Sequence, residues 1–325
     1  MRKIDKSVFT HAPKPLRAKA NGIINIMGYI GGAFATVLGI FLPLSDYINV
    51  ADRSDKLWII EIPFVVASLL MTISAFVLFL TIKENKVVEE MKDQLAEGER
   101  AAAIADAVTD DGKMSKRNRN MLLAILGAEA LWFMADNAIG TYIGNYVIYY
   151  LDSKSSATMI LTIIGGLASV VGFATAGYIA DKIGRKWTVS SGLSLAFVAM
   201  LLMTFVKPGT EVVGENGEKA FPIILYAIWV IKGYGMALVH NCSFPMVVEL
   251  CSSKQIGKFT GYYYAASMSA QTLTPVLVGL ILFRFKVWGA LPVYASVLLA
   301  LSAAVFILLV KNIKAIKLAN AKGLE

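Results

Sequence analysis

The sequence predicts an all-α integral membrane protein with eight transmembrane helices, and its composition is the first reason. Of its 325 residues, 57% are hydrophobic and 17% are charged, whereas soluble domains carry about 45–50% and about 25%. The mean hydropathy of +0.62 is higher than the surface of a soluble chain of this size permits. These values exclude a soluble single-domain enzyme, a disordered chain and a disulfide scaffold.

The second reason is the length of the apolar stretches. A helix needs roughly 20 apolar residues to cross a bilayer, and a helix satisfies its own backbone in lipid. The alternation typical of a barrel strand is absent from the sequence. The predicted spans lie near residues 21–43, 57–82, 120–150, 157–180, 187–206, 221–248, 258–283 and 287–310.

The distribution of lysine and arginine orients these spans. When the N-terminus is placed inside, 23 of the 31 basic residues lie on the inner side and 7 on the outer side, with Lys232 inside a span. The positive-inside rule therefore predicts a multi-pass protein of the cell membrane (plasma or inner) with both termini in the cytoplasm. The net charge of +8 does not indicate nucleic-acid binding, because the basic residues are spread over five segments.

One long polar segment divides the chain. Residues 84–119 are mixed in charge and favour a solvated linker with a surface helix. The predicted organisation is therefore 1–83, an N-terminal segment with two spans, then the linker 84–119, then 120–325, six spans with a cytoplasmic tail.

A short loop between the fourth and fifth spans indicates a family. It reads GYIADKIGRK from Gly177 to Lys186, and its glycines allow close helix approach and a sharp reversal. This loop resembles the signature loop of the major facilitator superfamily of secondary transporters. The resemblance implies that the loop controls conformation during transport, as a gate. The candidate gate residues are Gly177, Asp181, Lys182, Gly184, Arg185 and Lys186.

The resemblance also implies an architecture of two six-helix halves, with the signature after the second helix of a half. Residues 120–325 then correspond to a complete C-terminal half, and the first two spans to the last two helices of the N-terminal half. Helices one to four have no counterpart. Either the chain is a fragment whose N-terminal helices belong to a longer chain, or it pairs with another polypeptide, or it does not transport. The segments 21–28 and 257–264 are similar to the glycoside and sucrose cation-symporter branch.

Four ionisable residues lie deep inside predicted spans, where charged groups usually face a cavity or a partner. Glu129 and Asp136 share one face of the third span, and Lys232 and His240 share roughly one face of the sixth. By resemblance these spans line the central cavity. Helical rise places Asp136 and Lys232 at similar depths, and Glu129 and His240 at similar depths. We therefore expect two facing pairs, Asp136 with Lys232 and Glu129 with His240.

These pairs are open to two interpretations. They form a site for solute and coupling ion, or they are permanent ion pairs that join two helices. Three polar neighbours complete the candidate site: Asn137, Tyr142 and Asn241. Glycine pairs at four-residue spacing predict close helix packing. They are Gly28/Gly32, Gly140/Gly144 and Gly257/Gly261.

The predicted function is cation-coupled symport of a small polar solute, most simply a sugar or glycoside, by alternating access. The expected partners are the solute and the lipid bilayer, with H⁺ or Na⁺ as coupling ion and no cofactor, metal or nucleic acid. The sequence contains no HExxH, GxxxxGK[ST] or GxSxG motif, so an enzyme is not predicted. Two alternatives remain open: a truncated, non-transporting bundle that acts as an assembly partner, and a drug exporter with a more apolar cavity.

Overall fold

The computed structural model of the chain describes residues 22–32, 34, 57–81, 116–153, 155–208, 212–213, 219–220, 223–250 and 256–311. Within these residues the protein is helical, apart from one two-stranded antiparallel pairing. The helices are α1 (Gly22–Gly32), α2 (Leu57–Thr81), α3 (Lys116–Tyr149), α4 (Ser155–Ile183), α5 (Arg185–Met203), α6 (Ile223–Glu249), α7 (Ile256–Phe285) and α8 (Ala290–Leu309). The strands are β1 (Val212–Val213) and β2 (Lys219–Ala220).

The predicted all-α membrane fold is confirmed. Among the described residues, six helices are long and apolar enough to cross a membrane: α2, α3, α4, α5, α7 and α8. Helix α6 has a comparable length and carries Lys232, His240 and Asn241. Helix α3 begins at Lys116, four residues before its predicted start at 120. Most of the predicted linker 84–119 and the part of the first span beyond residue 34 lie outside the described residues.

Helix α6 is the centre of the bundle. It packs along α4 and α5, while α8 packs on α3 and α5, and α7 packs on α3. Its side chains from Met236 to Val239 are buried, and so are those from Asn241 to Val248. Large buried side chains such as Trp132, Tyr146 and Phe306 fill the space between these helices. The polar residues of α6 are therefore held by close packing on several sides.

Glycines bring α4 and α6 into backbone contact. A methyl group added at Gly233 would overlap the carbonyl oxygen of Gly165. At this crossing the Ser169 hydroxyl lies 2.9 Å from the Gly165 carbonyl oxygen and 3.0 Å from the Gly233 carbonyl oxygen. A second crossing joins Gly192 of α5 to Gly235 of α6. Only residues without a side chain allow backbones to approach this closely.

The glycine pairs that the sequence predicted as packing sites are not packed in this way. Outside the glycine's own helix backbone and chain neighbours, no heavy atom of the described residues lies within 4 Å of a methyl group placed at Gly28, Gly32, Gly140, Gly144, Gly257 or Gly261. The prediction was wrong for these six positions. The four-residue spacing puts two glycines on one face but does not say which face meets another helix.

The first two helices differ in their contacts with the rest of the bundle. Helix α1 approaches α4 and α6 at Gly22, where an added methyl group would lie 3.2 Å from the Phe173 carbonyl oxygen and 3.2 Å from Asn241 Oδ1. In α2, the described side chains from Phe64 to Thr81 are exposed, apart from half-buried Val66. Their apolar character is what a lipid-facing helix requires.

Candidate solute and ion site

Asp136 of α3 is the centre of a charged cluster inside the bundle. The Lys232 Nζ lies 2.5 Å from Asp136 Oδ1, and the His240 Nε2 lies 3.8 Å from Asp136 Oδ2. The predicted contact between Asp136 and Lys232 is confirmed. One carboxylate therefore lies between an ammonium group and an imidazole, and the two bases come from the same helix, α6.

Aromatic rings hold the imidazole in place. The His240 ring meets the Trp132 ring edge to face at 4.6 Å and the Phe133 ring at 5.6 Å between centroids. Both rings lie one turn or less before Asp136 on α3, so the same stretch of helix supplies the carboxylate and the packing. Edge-to-face contacts of this kind are favourable and directional. They orient His240 towards Asp136.

Glu129 does not pair with His240, and this part of the prediction was wrong. Glu129 is 1% exposed, and neither of its carboxylate oxygens has a hydrogen-bond partner among the described residues. Tyr263 of α7 lies within electrostatic range of Glu129, and the Tyr263 hydroxyl is 3.0 Å from the Ser243 hydroxyl. Glu129 therefore occupies a separate buried position, while His240 joins the cluster around Asp136.

A cavity of about 850 Å³ lies beside this cluster, between α1, α3, α4 and α6. This volume is within the range of about 300–1,000 Å³ that small-molecule sites occupy. The polar side chains that line it are Asn25, Tyr29, Thr162, Ser169 and Lys232. Aliphatic side chains, glycines and Trp229 form the rest of the wall. Lys232 is thus shared between the cavity and the charged cluster, whereas Asp136 does not line the cavity.

Sequence reasoning missed the contribution of α1. Tyr29 lines the cavity and lies within electrostatic range of Asp136 and Lys232. Its ring also packs against Phe173 at 5.1 Å between centroids. The available signal was the spacing of Asn25 and Tyr29, which are one helical turn apart and therefore share a face. Neither residue is charged, so neither drew attention inside an apolar span.

The remaining candidate residues lie elsewhere. Asn137 donates its side-chain amide to the Phe133 carbonyl oxygen of its own helix at 2.9 Å. The Tyr142 hydroxyl donates to the Pro275 carbonyl oxygen of α7 at 2.5 Å. Asn241 is buried beside α1 at Gly22. The structure does not bring Asn137, Tyr142 or Asn241 to the cavity wall.

The loop between α4 and α5 links two parts of the bundle. Gly184 has a φ of 88°, a conformation that glycine adopts without strain, and this allows α4 to end one residue before α5 begins. Arg185 is buried, and the Lys186 ammonium donates to the Ile307 carbonyl oxygen near the end of α8 at 2.8 Å. Lys182 lies over the Tyr178 ring at 4.4 Å. The exposed Asp181 and the helical Gly177 complete the segment.

The donor set of the cluster does not suit a metal ion. Within the part of the chain that the structure describes, no group of three or more His, Cys, Asp or Glu side chains could hold one. Around Asp136 the nearest polar groups are nitrogen atoms of Lys232 and His240. The arrangement can bind and exchange protons, and it can present a positive charge to a molecule in the cavity.

The fold, the signature-like loop and a cavity beside intramembrane charges together define a membrane transporter. The family model described as Major Facilitator Superfamily matches residues 125–323. The chain therefore belongs to the major facilitator superfamily, and it is a multi-pass secondary transporter of that type rather than an enzyme. A comparison with curated proteins returned no match.

Proposed function

We propose that the chain transports a small organic solute by alternating access, coupled to a cation, with the cavity as solute site and the Asp136–Lys232–His240 cluster as coupling site. The observation that carries this proposal is the position of Lys232, which lines the cavity and also contacts Asp136. Charged groups within a membrane are costly and usually mark solute or ion pathways. A solute that binds at Lys232 changes the environment of Asp136 directly.

The surroundings of Asp136 favour H⁺ over Na⁺ as the coupling ion. A metal cation requires several oxygen ligands, whereas the neighbours of this carboxylate are an ammonium group and an imidazole. The ammonium repels a second cation, but a proton converts the carboxylate to a neutral acid. Protonation of Asp136 therefore releases Lys232 for other contacts, which links ion binding to solute binding.

The composition of the cavity wall bears on the solute and supports a second candidate function. Most of the lining that the described residues provide is aliphatic or glycine, with five polar side chains and one tryptophan. Tyr29, Trp229 and Asn25 are suited to a sugar or glycoside, and this substrate stays a prediction. The apolar remainder favours a more hydrophobic solute, including the compounds that a drug exporter moves. We also propose that the loop from Gly177 to Lys186 acts as a gate and that both termini lie in the cytoplasm.

The test is transport in proteoliposomes with and without an imposed pH gradient. We expect uptake or extrusion of the solute to follow the gradient in the wild-type chain. The Asp136→Asn variant should lose the dependence on the gradient, because its amide cannot take up the proton. The matched control is Asp152→Asn in the exposed loop after α3, which should behave as wild type. Unchanged gradient dependence in Asp136→Asn contradicts the coupling proposal.

A further inference from the structure

The cavity wall carries a more specific inference about the solute, which rests on the proposed function. We propose that the solute is an amphipathic organic anion, with an apolar body and one anionic group such as a carboxylate. The apolar body lies against the α1, α3 and α4 walls, and the anionic group binds the Lys232 ammonium.

The apolar body follows from the lining. Ile24 and Ile30 of α1, Ile139 and Ile143 of α3, and Leu167 of α4 present hydrocarbon to the cavity. A sugar carries a hydroxyl group on nearly every carbon, and a buried hydroxyl group without a partner costs free energy. Among the described residues that line this cavity of about 850 Å³, five have polar side chains, which are too few to pair with a ring of hydroxyl groups on all sides. A hydrocarbon body is the better match.

The anionic group follows from the position of the charges. Lys232 lines the cavity, while Asp136 does not. A molecule that binds in the cavity can therefore contact the ammonium directly. Tyr29 of α1 and Ser169 of α4 also line the cavity, and Tyr29 is within electrostatic range of Lys232. Hydrogen bonds between an ammonium and a carboxylate are among the strongest available to a protein.

Charge balance at Lys232 then explains the coupling. Without solute, the Lys232 charge is compensated by Asp136 at 2.5 Å. When the anionic group takes over Lys232, Asp136 loses its partner and takes up one proton from the water on the side to which the cavity opens. The site remains neutral before and after, because one anion and one proton enter together. An uncharged solute offers no such exchange.

The titratable groups near Asp136 come from two neighbouring helices. Lys232 and His240 approach from α6, and Tyr29 approaches from α1. Among the described helices packed against α3 and α6, α4, α5 and α7 carry charged residues only near their ends, and α8 carries none. The proton balance of the site is therefore set by Asp136, Lys232, His240 and Tyr29.

The test is calorimetric binding to the full chain in lipid nanodiscs, with three probes. Adamantane-1-carboxylate and adamantane-1-methanol share one apolar body and differ in charge, and sucrose is polar and uncharged. We expect the carboxylate to bind about tenfold or more tightly than the alcohol, which one charge-assisted hydrogen bond supports. Repetition in buffers of different ionisation enthalpy should give close to one proton taken up per carboxylate bound near pH 7.

Variants separate this assignment from a general effect of charge. The double variant Asp136→Asn/Lys232→Met leaves no unpaired charge, so it tests the site without the cost of an orphaned ion. It should bind the carboxylate and the alcohol equally and take up no proton. Lys258→Met removes an exposed lysine at the start of α7 and should keep both the preference and the proton uptake.

Several results would overturn the assignment. These are equal binding of carboxylate and alcohol by the wild type, tighter binding of sucrose, retention of the preference in the double variant, or binding of none of the probes. Failure of the broader proposal has a different signature. If the carboxylate binds selectively with proton uptake but proteoliposomes move no solute, the solute class stands and the transport proposal fails.

Discussion

The contact between Asp136 and Lys232 gives a prediction that can be worked from its geometry. With the two charges 2.5 Å apart, an effective dielectric constant of about 20 gives an attraction of about 7 kcal/mol. Desolvation of both ions offsets part of this gain. Removal of one partner leaves a buried unpaired charge, which typically costs about 3–5 kcal/mol. We therefore expect Lys232→Met to lower the free energy of unfolding by that amount.

A double-mutant cycle isolates the pair. Lys232→Met, Asp136→Asn and their combination are unfolded reversibly in mixed micelles, with tryptophan fluorescence as the signal. The double variant should be more stable than the sum of the single losses predicts, because neither charge is left alone. The control is Lys258→Met, which should change stability by less than about 0.5 kcal/mol. A coupling free energy below about 0.5 kcal/mol would refute the reasoning, since the two groups would then not interact.

Three further predictions concern packing and buried polar groups. Gly233→Ala should lower the free energy of unfolding by about 1–3 kcal/mol, because the added methyl group overlaps the Gly165 backbone. The matched control Gly144→Ala places its methyl group in open space and should raise the free energy of unfolding by about 0.5–1 kcal/mol. Equal unfolding midpoints for the two variants would contradict this prediction. Tyr142→Phe should cost about 0.5–1.5 kcal/mol by removing the hydrogen bond to Pro275, measured against exposed Tyr178→Phe as control. Glu129→Leu should raise stability by about 1–3 kcal/mol by removing a buried carboxylate without a hydrogen-bond partner among the described residues, and a loss of stability would mean that the carboxylate is bound.

The helical spans could be predicted because a bilayer imposes one length and one composition. Seven of the eight predicted spans correspond to helices whose described ends differ from the predicted ones by at most four residues. The Asp136–Lys232 contact could be predicted because both residues lie at a similar depth and neither tolerates lipid. Span length and the depth of a residue are properties of single helices, so the sequence of each helix contains them.

The properties that depend on two helices together could not be predicted as well. Lys232 and His240 are about 12 Å apart along α6, yet both reach Asp136, because their side chains extend along the helix axis. A depth estimate based on backbone position therefore assigned His240 to Glu129. Glycine spacing likewise does not give the rotation of a helix about its axis, so Gly165 and Gly233 were missed. Tyr29 was missed because its role arises only when α1 lies beside α4.

The backbone crossing of Gly165 and Gly233 has a mechanical consequence. No side chains separate Gly165 from Gly233, and the Ser169 hydroxyl lies close to both carbonyl oxygens. We therefore expect α4 and α6 to resist sliding and to move as one rigid unit. Helix α1 lies across the cavity from this rigid unit, and its Gly28 and Gly32 line the cavity with open space around them. We therefore expect a change in the size of the cavity to come from displacement of α1. The α4–α6 pair would then stay in place while α1 moves towards or away from a bound molecule.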